Sequence, residues 1–309
     1  GIKKTGWGTT GKDFIHGFPP PYSGYHFNAV KFQNYVFDKL HDKMNVIEKN
    51  VTPDEIDADY IMDCSGRPND YSNFVMSEYI PVNSVYVTQC FWDYPRFNYS
   101  LTLARPYGWV FGIPLNNRCS IGYLYNNNIN TLEEIKEDVK NIFEEYNLTP
   151  SDTTNAFSFK NYYRKTNFTE RIAFNGNASF FLEPLEATSI GMMDTVQRTA
   201  WDNWWSKNIS NEESNMIYQN HITKVETMIM LHYFSGSKFK TKFWDFAQER
   251  GENKMNQMKN DGHFISMIEE SKKDFKYIEP KSEFGSWSVA SFKQNLDNLD
   301  LYSKLDRLM

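Results

Sequence analysis

The hydrophobic pattern of this chain changes once, near residues 190–205, and the change limits the folds open to it. Before it lie short β-patterned runs. Ala58–Asp63 is a compact stretch that breaks into Cys64-Ser65-Gly66, which predicts a strand ending in a tight turn. Ser84–Trp92 and Asn98–Ala104 carry β-branched and aromatic residues, and Ser120–Tyr125 ends in the polar loop Asn126–Asn130. One helix interrupts this region. Thr131 and Glu134 have capping-box spacing, and Leu132, Ile135, Val139, Ile142 and Phe143 share one face.

After Ile190 the spacing becomes helical. Met216, Ile217, Ile222, Val225, Met228 and Ile229 form an apolar face running toward a stop at Gly236. Trp201 and Trp205 are one helical turn apart, and further helices are predicted over Thr241–Glu249, Gly262–Lys273 and Val289–Leu308. The expected class is α/β, with a mixed-sheet part at residues 1–195 and an all-helical part at 196–309. A chain of 309 residues is long enough to bury a large core in that form.

Charge narrows the partners. A net charge of −6 argues against nucleic acid, which requires concentrated Lys and Arg. No apolar run is long enough to span a membrane and no signal peptide is visible, so a soluble, cytoplasmic protein is expected. The three cysteines, Cys64, Cys90 and Cys119, are far apart in sequence and lack metal-ligand spacing, which fits a reducing compartment and predicts no metal site. Aromatic residues make up 17% of the chain, enough for a packed core or for a pocket around a planar ligand.

Two motifs near the start mislead. Gly6, Gly8 and Gly11 satisfy G-x-G-x-x-G, and Gly6–Lys12 nearly satisfies the P-loop pattern. Asp13 stands where a Ser or Thr hydroxyl should meet magnesium, and the flanks Lys3-Lys4 and Pro19-Pro20-Pro21 provide neither the strand nor the helix that both motifs need. A turn is the better reading.

The segment Phe181–Ile190, F-L-E-P-L-E-A-T-S-I, is the most informative. Glu183 and Glu186 flank Pro184-Leu185, and small residues then open a predicted helix. The first-turn amides at Thr188 and Ser189 suit an anion, and a carboxylate beside them could act as a base. Equally, Glu186 and Thr188 could simply cap the helix.

Taken in order, the motifs resemble the flavin-dependent halogenases of the tryptophan-halogenase type. Asp63-Cys64-Ser65-Gly66 is similar to a flavin-side turn of that family, and Gly108–Pro114 resembles G-W-x-W-x-I-P with Phe111 in place of the second Trp. Arg118–Tyr125 is similar to R-x-x-x-G-Y-x-Y. Glu183–Ile190 resembles E-P-L-E-S-T-G-I, departing at Ala187 and Ser189. His232-Tyr233 followed by Thr241, Phe243 and Trp244 resembles H-Y…T-x-F-W. The likeness spans most of residues 7–245.

The resemblance implies a flavin-monooxygenase-like sheet region followed by a helical substrate domain. It implies FAD, delivered as FADH2 by a separate flavin reductase, with chloride, bromide or iodide as co-substrate. Hypohalous acid made at the flavin would then halogenate a small electron-rich aromatic, indole-like or phenolic. Glu186 would be catalytic, Thr188 and Ser189 would bind halide, and Ser65, Gly66, Trp109, Pro184 and Ile190 would border the flavin. Asp13–Phe18 resembles a substrate-pocket segment, which nominates His16 and Phe18 for substrate contact. The family's ADP-binding strand–helix unit is expected upstream of residue 1. So is its lysine, which precedes a pair like Gly1-Ile2, with Lys3 and Lys4 as substitutes. Val46–Asp63 looks short, as though a β-meander were trimmed. The glutamate at 186 favours an indole-like ring, whereas Ser189 leaves the halide open. A homo-oligomer is left open. The competing enzyme reading is a flavin-dependent aromatic hydroxylase. The non-enzyme reading is an aromatic-rich binding module.

Overall fold

The computed structural model describes residues 26–97, 100–274 and 283–309. Its centre is an antiparallel five-stranded sheet in the order β4-β5-β6-β3-β7, from β3 (Ser84–Phe91), β4 (Leu101–Arg105), β5 (Gly108–Leu115), β6 (Arg118–Tyr125) and β7 (Thr149–Ser158). Short turns, Pro106-Tyr107 and Asn116-Asn117, join β4 to β5 and β5 to β6. Proline sets the backbone angle that a tight turn needs at its second position. Gly108, which follows, could carry no side chain: a Cβ there would lie 1.9 Å from the Leu124 carbonyl oxygen.

Alternation along these strands divides the interior in two. Val110 and Tyr123, paired across β5 and β6, face the helix α2 (Leu132–Glu145). Their neighbours Trp109 and Leu124, also paired, face the helical half of the chain. The capping box expected at Thr131 and Glu134 starts α2, and Ile135, Val139, Ile142 and Phe143 are buried as the spacing predicts. Asp138 on the same face is buried against Arg105 at 2.6 Å and accepts from the Tyr123 hydroxyl at 2.9 Å, which ties α2 to the sheet.

Cys90 and Cys119, distant in sequence, sit directly opposite each other on β3 and β6 and are fully buried, so their separation along the chain does not carry over to space. Cys64 is exposed. A thiol reagent should therefore titrate one of the three cysteines in the native protein and all three after denaturation. Cys64 should react more slowly than a free thiol, because burial and the Asp63 carboxylate push it up.

Two smaller sheets complete the β-rich part of the chain. β1 (Ile61–Asp63) pairs in parallel with β9 (Ile172–Phe174), and β8 (Tyr162–Arg164) lies between β2 (Phe74–Met76) and β10 (Phe180–Phe181). Ahead of them, α1 (Ala29–Leu40) buries none of its residues among the described ones, and Val30, Phe32 and Phe37 are exposed.

From Thr188 onward helices follow in succession: α3 (Thr188–Ala200), α4 (Asn211–Ser235), α5 (Lys242–Met258), α6 (Gly262–Ser271), α7 (Val289–Leu299) and α8 (Tyr302–Asp306). Three sequence expectations are corrected here. The face assigned to α4 holds only from Ile222 onward, because Met216 and Ile217 are exposed. The reason is that α4 is enclosed on all sides from Val225 to Phe234, so burial there no longer follows a 3.6-residue stripe. The helix predicted over Val289–Leu308 breaks at Asp300, which adopts a left-handed φ of 53°. A hairpin of β11 (Glu283–Phe284) and β12 (Trp287–Ser288) also interrupts the helices. Trp201 and Trp205 do stack one turn apart, at 5.2 Å, in a π-helical extension of α3.

Helices α4 and α5 pack closely at Gly251, where a Cβ would lie 2.5 Å from the Phe234 backbone nitrogen. The larger core includes Val85, Trp109 and Leu124 from the sheet together with Met228, Leu231, Phe264, Trp287 and Phe292 from the second half.

Candidate active site

The chain leaves β10 at Phe181, buries Leu182 and Glu183, and turns at Pro184 into one 3-10 turn, Leu185–Ala187. Glu186 (φ 66°) and Ala187 (φ 52°) are both left-handed. This conformation costs L-residues roughly 1–2 kcal/mol each and is seldom adopted twice in succession. Two reversed residues turn the Glu186 side chain inward to α4, while Thr188 begins α3.

Glu186 is held from several sides. His232 Nε2 on α4 lies 3.2 Å from Oε1, and the Trp287 indole N–H of the hairpin donates to Oε2 at 3.2 Å. Asn295 of α7 hydrogen-bonds the same carboxylate. Burial works against its charge, but hydrogen bonds from His232, Trp287 and Asn295 and the His232 charge outweigh burial and hold its pKa below the usual carboxylate value. His232 Nδ1 lies 3.0 Å from the Met228 carbonyl, which can only accept, so Nδ1 carries a hydrogen. With Nε2 on a carboxylate oxygen, one more proton lies between His232 and Glu186. The pair is therefore a buried acid–base couple. A little of it is open, since the Glu186 side chain is 19% exposed.

Glu183, three residues earlier, is fully buried. Its Oε2 accepts from the Trp109 indole N–H and from the Tyr233 hydroxyl, each at 2.8 Å. Its Oε1 is enclosed with no hydrogen-bond partner among the described residues. Burial pushes this carboxyl up to about 7, against the lowering effects of Tyr233, Trp109 and the His232 charge.

Capping does not account for Glu186 and Thr188. Glu186 faces α4, and the residue at the cap position is Ala187, which has no side-chain acceptor. Thr188 is 6% exposed, and its Oγ1 is buried with no partner among the described residues. The N-terminus of α3 thus combines uncapped amides with an unsatisfied buried hydroxyl, a combination suited to an anion. Ser189 follows, half-buried, and Ile190 is 70% exposed beside it.

The second expected cofactor segment is the turn after β1. The Ser65 N–H donates to Asp63 Oδ1 at 2.8 Å, and Gly66 has φ 94° with open space where a side chain would start. Asn175, at the end of β9, joins this turn to α3: its N–H donates to the Asp63 carbonyl at 2.8 Å, and its Nδ2 donates to the Met193 carbonyl at 3.1 Å. Pro184 and Ser65 are exposed, whereas Trp109 is enclosed behind Glu183. His16, Phe18, Lys3 and Lys4 lie outside the described residues.

Trp287 and Asn295 were not found from sequence. The nearest signal was Gly285-Ser286 between the aromatic residues Phe284 and Trp287, which marks a turn but not its target. His232 was visible only as part of a motif.

A family model described as Tryptophan halogenase matches residues 37–296. The fold is similar to a tryptophan halogenase from Shewanella frigidimarina, with a TM-score of 0.66 and 18% identity over 92% of this chain and 62% of the other. A tryptophan 6-halogenase from Streptomyces toxytricini gives a TM-score of 0.64 and 18% identity over 89% and 57%. A flavin-dependent halogenase from Brevundimonas gives 0.57 and 20% over 82% and 52%. The chain therefore spans between about half and under two thirds of the length of these three structures.

Proposed function

This chain belongs to the tryptophan halogenase family, and we propose that it carries the acid–base and halide sites of a flavin-dependent halogenase acting on an electron-rich aromatic ring. The observation that carries the reading is a buried Glu186–His232 couple two residues from an uncapped helix N-terminus with an unsatisfied Thr188 hydroxyl.

Flavin fits the residues present. Gly66 leaves its backbone face open, Ser65 and Pro184 are exposed, and Ile190 offers an apolar contact. Those four would border it, with Trp109 acting behind them through Glu183. When bound, reduced FAD with dioxygen supplies the oxidising power that turns halide into hypohalous acid. A separate flavin reductase would provide the FADH2.

The chain's own residues do the rest. Thr188 and Ser189 hold chloride, bromide or iodide by the first-turn amides of α3 and the Thr188 hydroxyl. In the substitution, the ring carbon forms a bond to halogen and the oxygen–halogen bond breaks, releasing hydroxide, which becomes water when the proton that Glu186 takes from the ring is passed on to it. The ring proton passes to a Glu186 oxygen. Because Glu186 is ionised through the neutral range, it is ready to accept that proton, and His232 steadies the carboxylate before the transfer and once the proton has been passed on. In this reading residues 1–195 supply the flavin side and 196–309 the substrate side, with His232, Trp287 and Asn295 reaching back to Glu186.

The test is turnover of the full-length protein with a flavin reductase, FAD, bromide or chloride, and a panel of indoles and phenols, read by mass spectrometry. The expected product carries one halogen in place of one hydrogen, with indoles preferred. Hydroxylated product without halogen would overturn the reading in favour of an aromatic hydroxylase.

A further inference from the structure

The halogenase reading uses Glu186 and leaves Glu183 without a role, although the two carboxyls flank the same Pro184-Leu185 and both feel the charge of His232. Resting on that reading, we propose that Glu183 is a positioning residue for the Glu186–His232 couple: it is a neutral acid in the working site and so does not compete with the Glu186 carboxylate for His232.

Complete burial with one oxygen unpartnered among the described residues favours the neutral form, and this outweighs the two donors on the other oxygen. Both donors, Trp109 Nε1 and the Tyr233 hydroxyl, converge on Oε2, while Oε1 faces no donor among the described residues. A carboxylate would leave half of its charge on a buried oxygen with no partner. The charged or titratable groups facing Glu183 are Tyr233 and His232, both on α4, with Glu186 beyond His232. Tyr233 is pushed well above its ordinary value and acts as a neutral donor. Trp109 from β5 and Asn161, which accepts from the Glu183 backbone N–H, carry no charge.

The consequence is a limit on the alkaline side. Burial places the Glu183 ionisation at about 7. Above that, a second carboxylate draws on His232, and Glu186 loses part of the charge that positions it. Wild-type halogenation should fall severalfold to a lower plateau across the midpoint, whereas E183Q, which keeps an oxygen for both donors and cannot ionise, should lack this step. The ionisation also has a sign for stability. Between the ordinary value of 4.5 and about 7 the native state holds a proton that the unfolded chain has released, so stability declines across this window. That decline should be absent from E183Q.

The deciding experiment needs no turnover. In the full-length protein, the indole N–H resonance of Trp109, assigned with W109F, is followed by nitrogen-15 NMR against pH. The proposal expects a titration near 7 that is absent in E183Q and moves upward in H232Q, where the neighbouring cation is removed. A Trp109 signal that does not titrate in wild type, or a midpoint that ignores H232Q, overturns it. If E183Q fails to fold, wild type and H232Q still decide. A coupled titration in a protein that makes no halogenated product would retain the network and remove the halogenase reading.

Discussion

Replacing Glu186 with Gln is expected to lower the rate of ring halogenation by about 10²–10⁴-fold, the usual range for losing a positioned general base. The loss should appear in kcat, with little change in KM for the aromatic, because the amide can still accept from Trp287 Nε1 but cannot take a proton. The fold should survive for the same reason: the Trp287 and Asn295 contacts can be kept by an amide of nearly the same shape. Oxidation of halide precedes proton loss from the ring, so E186Q should still generate hypohalous acid, detectable by a chlorination-sensitive dye. Stopped-flow comparison of the two steps separates them. A variant that halogenates at the wild-type rate would remove Glu186 from the chemistry.

Replacing Lys254 with Met is expected to destabilise the protein by about 3–5 kcal/mol, the range for breaking a buried ion pair from one side. Lys254 Nζ on α5 lies 2.7 Å from Glu226 on α4, and the side chains are only 2% and 5% exposed. Ser77 also donates to Glu226, so the pair links both helices to the loop after β2. Removing the cation leaves a carboxylate enclosed between helices with one hydroxyl donor. Removing both charges, as in K254M/E226L, should recover most of the loss, because burying two ions costs nearly as much as their attraction returns. Denaturant unfolding of the wild type, the two single variants and the double variant measures this directly. A K254M cost under about 1 kcal/mol would mean that water reaches the pair.

The general order of the fold was legible in the sequence. The change from β patterning to helical spacing near residue 190, the capping box at Thr131 and the stop at Gly236 all rest on local rules, and local rules hold wherever burial follows one face of an element. They fail where burial is not one-sided. Half of α4 is enclosed all round, which hides its period, and the two-residue strands of the β11–β12 hairpin are too short to show any period. The candidate site was legible as a segment but not as a geometry. Glu183 and Glu186 look equivalent on either side of Pro184-Leu185, and only tertiary partners distinguish them. One meets Trp109 and Tyr233 in the core, whereas the other meets His232, Trp287 and Asn295. The left-handed angles at Glu186 and Ala187 could not be foreseen, since neither residue type favours them. The pairing of Cys90 with Cys119 likewise depends on strand register, which spacing along the chain does not reveal.

The central claim is that halide sits at the start of α3, next to the Glu186–His232 couple. Anomalous diffraction from crystals of the full-length protein grown with FAD and bromide tests this most directly. The account predicts a bromine peak beside the Thr188 hydroxyl and the first-turn amides of α3, which weakens in T188V. A bromine peak at another protein site with none at Thr188, or a Thr188 peak unaffected by T188V, would contradict it.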